Sequence, residues 1–351
     1  MDLLIQLAGT GIIILTLLDI YLTVLFHRLG SSVVSMPLNR GIWCFLRLVT
    51  QVIPSKSDRL LAHSGSIMIV AILAVWAASL MSGFALIIFP ELGSAIQASE
   101  GKTPTDFITA LYYSGFSFTT LGTGDLVPKT ATYRLLTLLE AALGFSSFTI
   151  TITYLLSVYN ALITRNTFAL SLYHRTDGTG DAAELLARLG ASGELSGIQQ
   201  DLSNMARDLI ELLELQHSYP VLIYFRFRET YYTLPRVILL AIDTASLIKS
   251  ALNAEKYRSL LHSTAVAELW GGSTHILSEL SQSILPKHRI KCDRQMELVW
   301  RKRYYDAVER LSAEGIETAT DREAGAELYV ALRRKWQPLL TTLSNYLAVD
   351  L

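Results

Sequence analysis

Residues 119–125 read Thr-Thr-Leu-Gly-Thr-Gly-Asp, and this stretch decides how the rest of the chain is read. Its glycines, Gly122 and Gly124, stand at alternate positions. Glycine accepts the left-handed backbone geometry that lets successive carbonyls point inward in single file. Rings of such carbonyls can replace the water around a dehydrated cation. One chain supplies one ribbon of a ring, so the pattern requires an oligomer. Taken alone, Gly-x-Gly is an ordinary turn signal. Its surroundings give it weight.

Three apolar stretches, residues 4–26, 67–89 and 132–158, each reach the roughly 20 helical residues that cross a bilayer. The first carries one acid, Asp19, expected near an interface or paired inside a bundle. A signal-peptide reading of this stretch is weaker, because it lacks a basic start and His27-Arg28-Leu29 is a poor cleavage site. The second is uncharged and ends at Pro90, and the third holds Arg134 near its start and Glu140 deeper. Residues 106–118, too short to span, lead into the glycine segment. A re-entrant half-helix of this kind persists at membrane depth only when protein or water surrounds it. Residues 221–252 are also apolar, but Arg226, Arg228, Glu229, Arg236 and Asp243 interrupt them, which predicts soluble core.

Composition agrees with this division. Of 351 residues, 51% are hydrophobic and only 17% charged, below the roughly 25% of a soluble domain. The apolar excess lies before about residue 165. A net charge of -1 without a basic run argues against a nucleic-acid partner. Cys44 and Cys292 are far apart and fall in stretches assigned to the cell interior, where reduced thiols are expected. Arg28, Arg40, Arg47, Lys56 and Arg59 place the link between the first two spans in the cytoplasm. Glu91, Glu100 and Asp106 face outward, and Arg165 and Arg175 return inside. The expected topology is a multi-pass protein of the cell membrane, with the N-terminus outside and the C-terminal part cytoplasmic. Residues 40–53, with Trp43 and Phe45, are amphipathic and predicted to lie along the inner membrane surface.

Residues 110–125 resemble the pore helix and filter of the tetrameric potassium channel family. There a Trp-Trp-Ser helix leads into Thr-Val-Gly-Tyr-Gly-Asp. Here Tyr112-Tyr113-Ser114 leads, without a gap, into Thr120-Leu121-Gly122-Thr123-Gly124-Asp125. Pro128, Arg134, Gly144 and Phe148 continue the register, and the resemblance covers about residues 60–160. It implies a filter in which Thr120, Leu121, Gly122, Thr123 and Gly124 coordinate the ion. The Thr120 hydroxyl would stand at the inner end, and Gly122 and Gly124 would take the strained turns. Asp125 at the outer mouth would raise the local cation concentration. The carbonyl end of the pore helix would favour a cation in the cavity. Tyr112 and Tyr113 would support the filter. Phe148, Ile152 and Leu156 would line the cavity with Thr153 beside them, and large apolar groups there can gate by dewetting. Gly144 would serve as a hinge or as a close-packing point. No cofactor is implied, and the only metals are permeant monovalent cations, K+ and, as an alternative, Na+.

Two residues depart from that pattern. Leu121 replaces the family's valine and Thr123 its aromatic. Thr123 is predicted to be too short to reach the pore-helix aromatics, leaving Tyr113 without that partner. Potassium-preferring and non-selective monovalent conduction therefore both remain open. Glu140 has two readings, an acid that tunes the filter or senses pH, and a structural acid bonded to Ser114 or Thr119 behind the pore helix. The second is preferred. Small and hydroxyl residues at Gly144, Ser146, Ser147, Thr149, Thr151 and Thr153 suit close helix packing in a membrane.

Beyond residue 180 the periodicity is helical. Helices are predicted over 194–215, 221–232, 236–252, 254–284, 288–313 and 322–347, a bundle and not a sheet. Gly178-Thr179-Gly180 lacks the third glycine and the preceding strand of a dinucleotide-binding fold. Neither the strand pattern of a cyclic-nucleotide roll nor the arginine series of a voltage sensor is present. His288 and Cys292 lie one helical turn apart but have no second ligand pair, so surface and packing roles are expected. Tyr219, Tyr224, Phe225, Phe227, Tyr231 and Tyr232 are predicted core. No nucleophile–base constellation suggests an enzyme.

The expected architecture is an all-α membrane protein. Residues 1–60 form an extra N-terminal helix with an interfacial segment, 61–164 a re-entrant pore-loop channel module, and 165–351 an all-helical cytoplasmic domain. The expected assembly is a homotetramer in the lipid bilayer. It would pass ions passively, with the inner helices as gate and the cytoplasmic bundle, through an unknown ligand or regulator, as bias. The competing class is a non-conducting membrane receptor or scaffold.

Overall fold

A computed structural model describes residues 1–26, 32–52, 57–190, 195, 197–227, 229–283 and 294–350. They form two compact units, Met1–Asn160 and Ala161–Leu351. The extra helix is thus part of the same unit as the glycine segment, and the unit boundary lies four residues before the expected one.

In the first unit, α1 (Asp2–Ile20) runs into a π-helical turn, Tyr21–Leu25. Helices α2 (Ser35–Val52) and α3 (Ser57–Ala62) precede α4 (Ser64–Ile88). Then come β1 (Ile96–Ala98), the half-span α5 (Phe107–Phe118), β2 (Leu126–Pro128) and α6 (Ala131–Arg175). Three segments, Asp2–Leu25, Ser64–Glu91 and Ala131–Arg175, are long and apolar enough to cross a membrane. These are the three expected spans, the last extended well past residue 158. The small antiparallel ribbon was not anticipated. It pairs Ile96 with Pro128 and Ala98 with Leu126, joining the stretch before the half-span to the stretch after the glycine segment.

Packing between α1 and α4 depends on the absence of side chains. A Cβ on Gly9 would lie 2.5 Å from the Gly83 carbonyl oxygen, and one on Gly83 would lie 2.7 Å from Ile13. Around this crossing Ile13, Trp76, Leu80, Phe84, Tyr113 and Phe116 form one buried cluster. Asp19 is paired inside the bundle. Its carboxylate accepts from Val34 N at 2.7 Å, Ser35 Oγ at 2.5 Å and Trp76 Nε1 at 2.9 Å. It therefore ties α1 to α4 and to the start of α2. In α2, Trp43 is buried against the fold, while Phe45, Leu48 and Val52 are exposed.

The second unit is a helical bundle: α7 (Ala182–Leu189), α8 (Ile198–Ser218), α9 (Leu234–Ala251), α10 (Arg258–Leu261), α11 (Thr264–Ser283), α12 (Arg294–Ala313) and α13 (Arg322–Leu347). Pro235 opens α9, where a missing N–H costs nothing. Asp321 caps α13 by accepting from Glu323 N and Ala324 N. The helix predicted over 254–284 is broken. Asn253 Oδ1 takes the N–H groups of Glu255 and Lys256, and Ser263 Oγ accepts from Val266 N. The helix predicted over 221–232 does not form either. Two 3-10 turns, Pro220–Tyr224 and Thr230–Tyr232, stand there instead. The buried Arg165 side chain donates to the Leu222 carbonyl at 2.8 Å and the Phe225 carbonyl at 3.0 Å, acceptors that a continuing helix would need. Of the predicted aromatic core, Tyr224 and Phe225 are buried. Nearer the surface, Tyr231 instead stacks on Tyr173 and contacts Tyr232, which in turn contacts Phe227. Residue 194, at the start of a predicted helix, lies outside the described residues, as do His288 and Cys292.

Asp243, near the middle of α9 and fully buried, is the polar centre of this unit. It accepts from Arg303 Nη2 at 2.7 Å and the Tyr329 hydroxyl at 2.6 Å. Arg303 also reaches Asp181, the cap of α7, at 2.9 Å. Burial alone would push the Asp181 carboxyl up, but the Arg303 guanidinium outweighs it and holds it below the usual range.

Two outcomes follow for melting of the full-length protein in detergent. Gly83→Leu should cost about 1–3 kcal/mol by overpacking the α1–α4 crossing, and an unchanged melting temperature would contradict that contact. Asp243→Ala should cost about 3–5 kcal/mol, because it strands Arg303 and Tyr329 in the interior. A loss under about 1 kcal/mol would show the network to be peripheral.

Candidate ion-conduction site

The half-span α5 begins where Asp106 accepts from both the backbone N–H and the hydroxyl of Thr109, each at 2.9 Å. It ends at Phe118, and the chain folds back on the helix's last carbonyls. Thr119 N donates to Gly115 O at 3.0 Å and Thr120 N to Ser117 O at 3.1 Å. Leu121 N and Gly122 N both donate to Phe116 O, at 2.8 and 3.4 Å. Successive N–H groups thus face the protein.

The backbone alternates in handedness. Thr120, Gly122 and Gly124 have φ of +57°, +60° and +76°, while Leu121 and Thr123 between them are not in the positive region. Alternating left- and right-handed residues direct N–H groups to one side of a ribbon and carbonyls to the other. Among the described residues, no hydrogen bond is donated to the carbonyls of residues 120–124. A Cβ on Gly122 or Gly124 would meet nothing within 4 Å, so handedness and not space demands glycine there. Sequence reasoning placed the strained turns at the two glycines and missed Thr120. A β-branched residue at positive φ is a genuine outlier, and such strain collects at functional sites.

The side chains around the ribbon fix its far end. Tyr112 Oη donates to Thr123 Oγ1 at 3.3 Å, and the Thr123 hydroxyl donates to Asp125 Oδ1. Thr123 is indeed short, but Tyr112 reaches out to it, which corrects the expected loss of contact with the pore-helix aromatics. The Thr123 hydrogen bond, aided by Tyr112, holds the Asp125 carboxyl below its usual range. Asp125 O accepts from Ser99 N at 2.8 Å, clasping the ribbon to the end of β1. Tyr113 turns the other way and shares a 2.7 Å hydrogen bond with Thr137 on α6.

Behind the ribbon, Ser114 Oγ lies 2.8 Å from the Met81 carbonyl and also contacts Glu140 Oε1. Glu140 is fully buried. Of its two proposed partners it takes Ser114, whereas Thr119 bonds Gly115 O. Gly144 packs against Phe118, since a Cβ there would strike the Phe118 carbonyl. Helix α6 is unbroken through that point, and the close contact is the packing role expected of Gly144. Phe148, Ile152, Thr153 and Leu156 are exposed on the single subunit, and Thr120 through Asp125 are exposed too. Leu121 has 70% and Phe148 66% of its surface open.

Residues 67–161 match the model of a family described as "Ion channel". The match covers well under half of the chain, and it makes that segment similar to ion-channel domains. An "Uncharacterized membrane protein YdjJ" of Bacillus subtilis is 27% identical over 220 residues, which cover 61% of each chain. The chain therefore spans less than two thirds of that relative's length. No solved structure matches.

Ser114 has one hydroxyl proton and faces two acceptors. A glutamine at 140 would present an amide N–H to it, and alanine would leave a void. Glu140→Gln is expected to keep the melting temperature, while Glu140→Ala should lose about 1–3 kcal/mol. Equal losses in both variants would mean that the contact with Ser114 contributes little.

Proposed function

We propose that this chain is one subunit of a homotetrameric channel for passive monovalent cation flow, with potassium preferred. The observation that carries the reading is the alternation of φ at Thr120, Gly122 and Gly124. It supports four exposed ribbons meeting on an axis, their carbonyls standing in for an ion's water. The fold-back bonds to Phe116 and Ser117 satisfy the N–H groups of Thr120, Leu121 and Gly122 from behind, and the carbonyls are left for the ion. Asp125 would stand at the outer mouth as a fixed negative charge. The apolar face at Phe148, Ile152 and Leu156 would meet its copies around a cavity and close it by dewetting. In this reading the protein sits in the cell membrane with its N-terminus outside, and the helical unit is cytoplasmic.

A non-selective Na+/K+ channel is the second reading. Thr123 favours it, because a hydroxyl tethered by a single 3.3 Å bond to Tyr112 braces the ribbon less firmly than a packed aromatic would.

Recording from the full-length protein in planar bilayers tests both. With potassium on one side and sodium on the other, the expected reversal potential lies toward the potassium equilibrium value. A reversal near zero selects the non-selective reading, and absence of monovalent current overturns the channel. Gly122→Ala should abolish the current, since an L-residue in the left-handed region costs about 1–2 kcal/mol and nothing within the subunit crowds a Cβ there. Full conduction by Gly122→Ala would refute the role of handedness.

A further inference from the structure

Nothing so far assigns the stimulus. In the helical unit a cavity of about 80 Å3 opens between Leu172 and Tyr173 of α6, Thr179, Tyr231, and Arg236 and Leu240 of α9. This is room for roughly half a dozen water-sized groups. Among the described residues Arg236 is the one charged residue in its wall, and no carboxylate lines it. Among the described residues Arg236 makes no ion pair. Its Nε donates to the backbone carbonyl of Asp350 at 3.2 Å. Neighbouring acids are engaged or turned away. Asp177 pairs with Arg188 at 2.8 Å, Asp181 pairs with Arg303, and Glu229 is exposed outside the wall.

The rim is strained and the wall is stiff. Asp177, Gly178 and Gly180 have φ of +52°, +78° and +64° in one short turn. A non-glycine residue held there is under strain of the kind found at ligand clamps and switch regions. Gly178 is pressed on Tyr173, since a Cβ would lie 3.0 Å from its hydroxyl oxygen. Tyr173 stacks on Tyr231 with ring centres 4.2 Å apart. Tyr232 lies beside Tyr231 with ring centres 4.4 Å apart.

We propose that this cavity binds a compact organic carboxylate and that its occupancy biases conduction. The carboxylate would form the paired hydrogen bonds that a guanidinium offers. Its short apolar body would lie against Leu172 and Leu240. Leu172 and Tyr173 belong to the same helix as Gly144 and Phe148, and Arg165 pins that helix to the carbonyls of Leu222 and Phe225. A guest that bridges α6, Tyr231 and α9 therefore changes the restraint on the conducting helix. The binding half stands alone, and the gating half rests on the proposed channel function.

The test uses the full-length protein with benzoate and butyrate as probes and benzylamine as the opposite charge. Calorimetry in detergent is expected to show benzoate or butyrate binding in the millimolar range or tighter, with benzylamine silent. Arg236→Gln should weaken binding about tenfold or more. Thr179→Trp, at the exposed rim, should block entry without touching the core, and so serves if Arg236→Gln fails to fold. In bilayers, the binding probe should change open probability of the unaltered protein and not of Thr179→Trp. No heat from either carboxylate, equal binding of benzylamine, or binding indifferent to both substitutions overturns the site. Binding with unchanged open probability overturns the gating half. Binding to a protein that never conducts upholds the site and sinks the channel reading instead.

Discussion

The alternating backbone of residues 120–124 is the constraint on which the first unit depends. Left-handed Thr120 costs about 1–3 kcal/mol. The N–H groups of Thr120, Leu121 and Gly122 bond to Ser117 and Phe116 carbonyls, and each such bond returns a net of about 0.5–1.5 kcal/mol. These are of the same order, so local bonding nearly balances local strain. The remaining support comes from outside the ribbon, through Tyr112 at Thr123, Ser99 at Asp125, and the packing of Gly144 on Phe118. Removing either donor, Tyr112 or Ser99, or crowding the Gly144 contact would free the ribbon to relax toward ordinary extended geometry.

That support requires the half-span to be held at depth. The core around Trp76, Leu80 and Phe84 receives Tyr113 and Phe116 from α5, and the Met81 carbonyl receives Ser114. Helix α1 thickens this wall by crossing at Gly9 and Gly83, where backbone meets backbone. Asp19 locks the crossing, since a buried carboxylate with three kinds of donor is satisfied only in one arrangement of α1, α2 and α4.

The helical unit is organised on another scheme, with a charged centre inside an apolar bundle. Asp243, Arg303, Asp181 and Tyr329 join α9 to α12, α13 and the start of α7. Such networks add little net stability compared with apolar packing, yet they are costly to break. Arg165 is of the same type. Its side chain is 1% exposed and answered by two carbonyl oxygens.

Sequence by itself determined the membrane character, the half-span and its exposed glycine ribbon. Length, hydropathy and the glycine spacing at 122 and 124 are local properties. It also placed the start of the last helix, because Asp321 is a local N-terminal cap. It did not reach the left-handed Thr120, the Tyr112–Thr123 bond, the Gly9–Gly83 crossing or the failed helix at 221–232. Each of these is settled by a partner distant in the chain or by a bond to another element. Arg165 competes for carbonyls some 57 to 60 residues away, and no propensity of residues 221–232 can register that competition. Local chemistry fixed which segments cross and which one turns back, and the tertiary contacts decided which backbone atoms were left free to face outward.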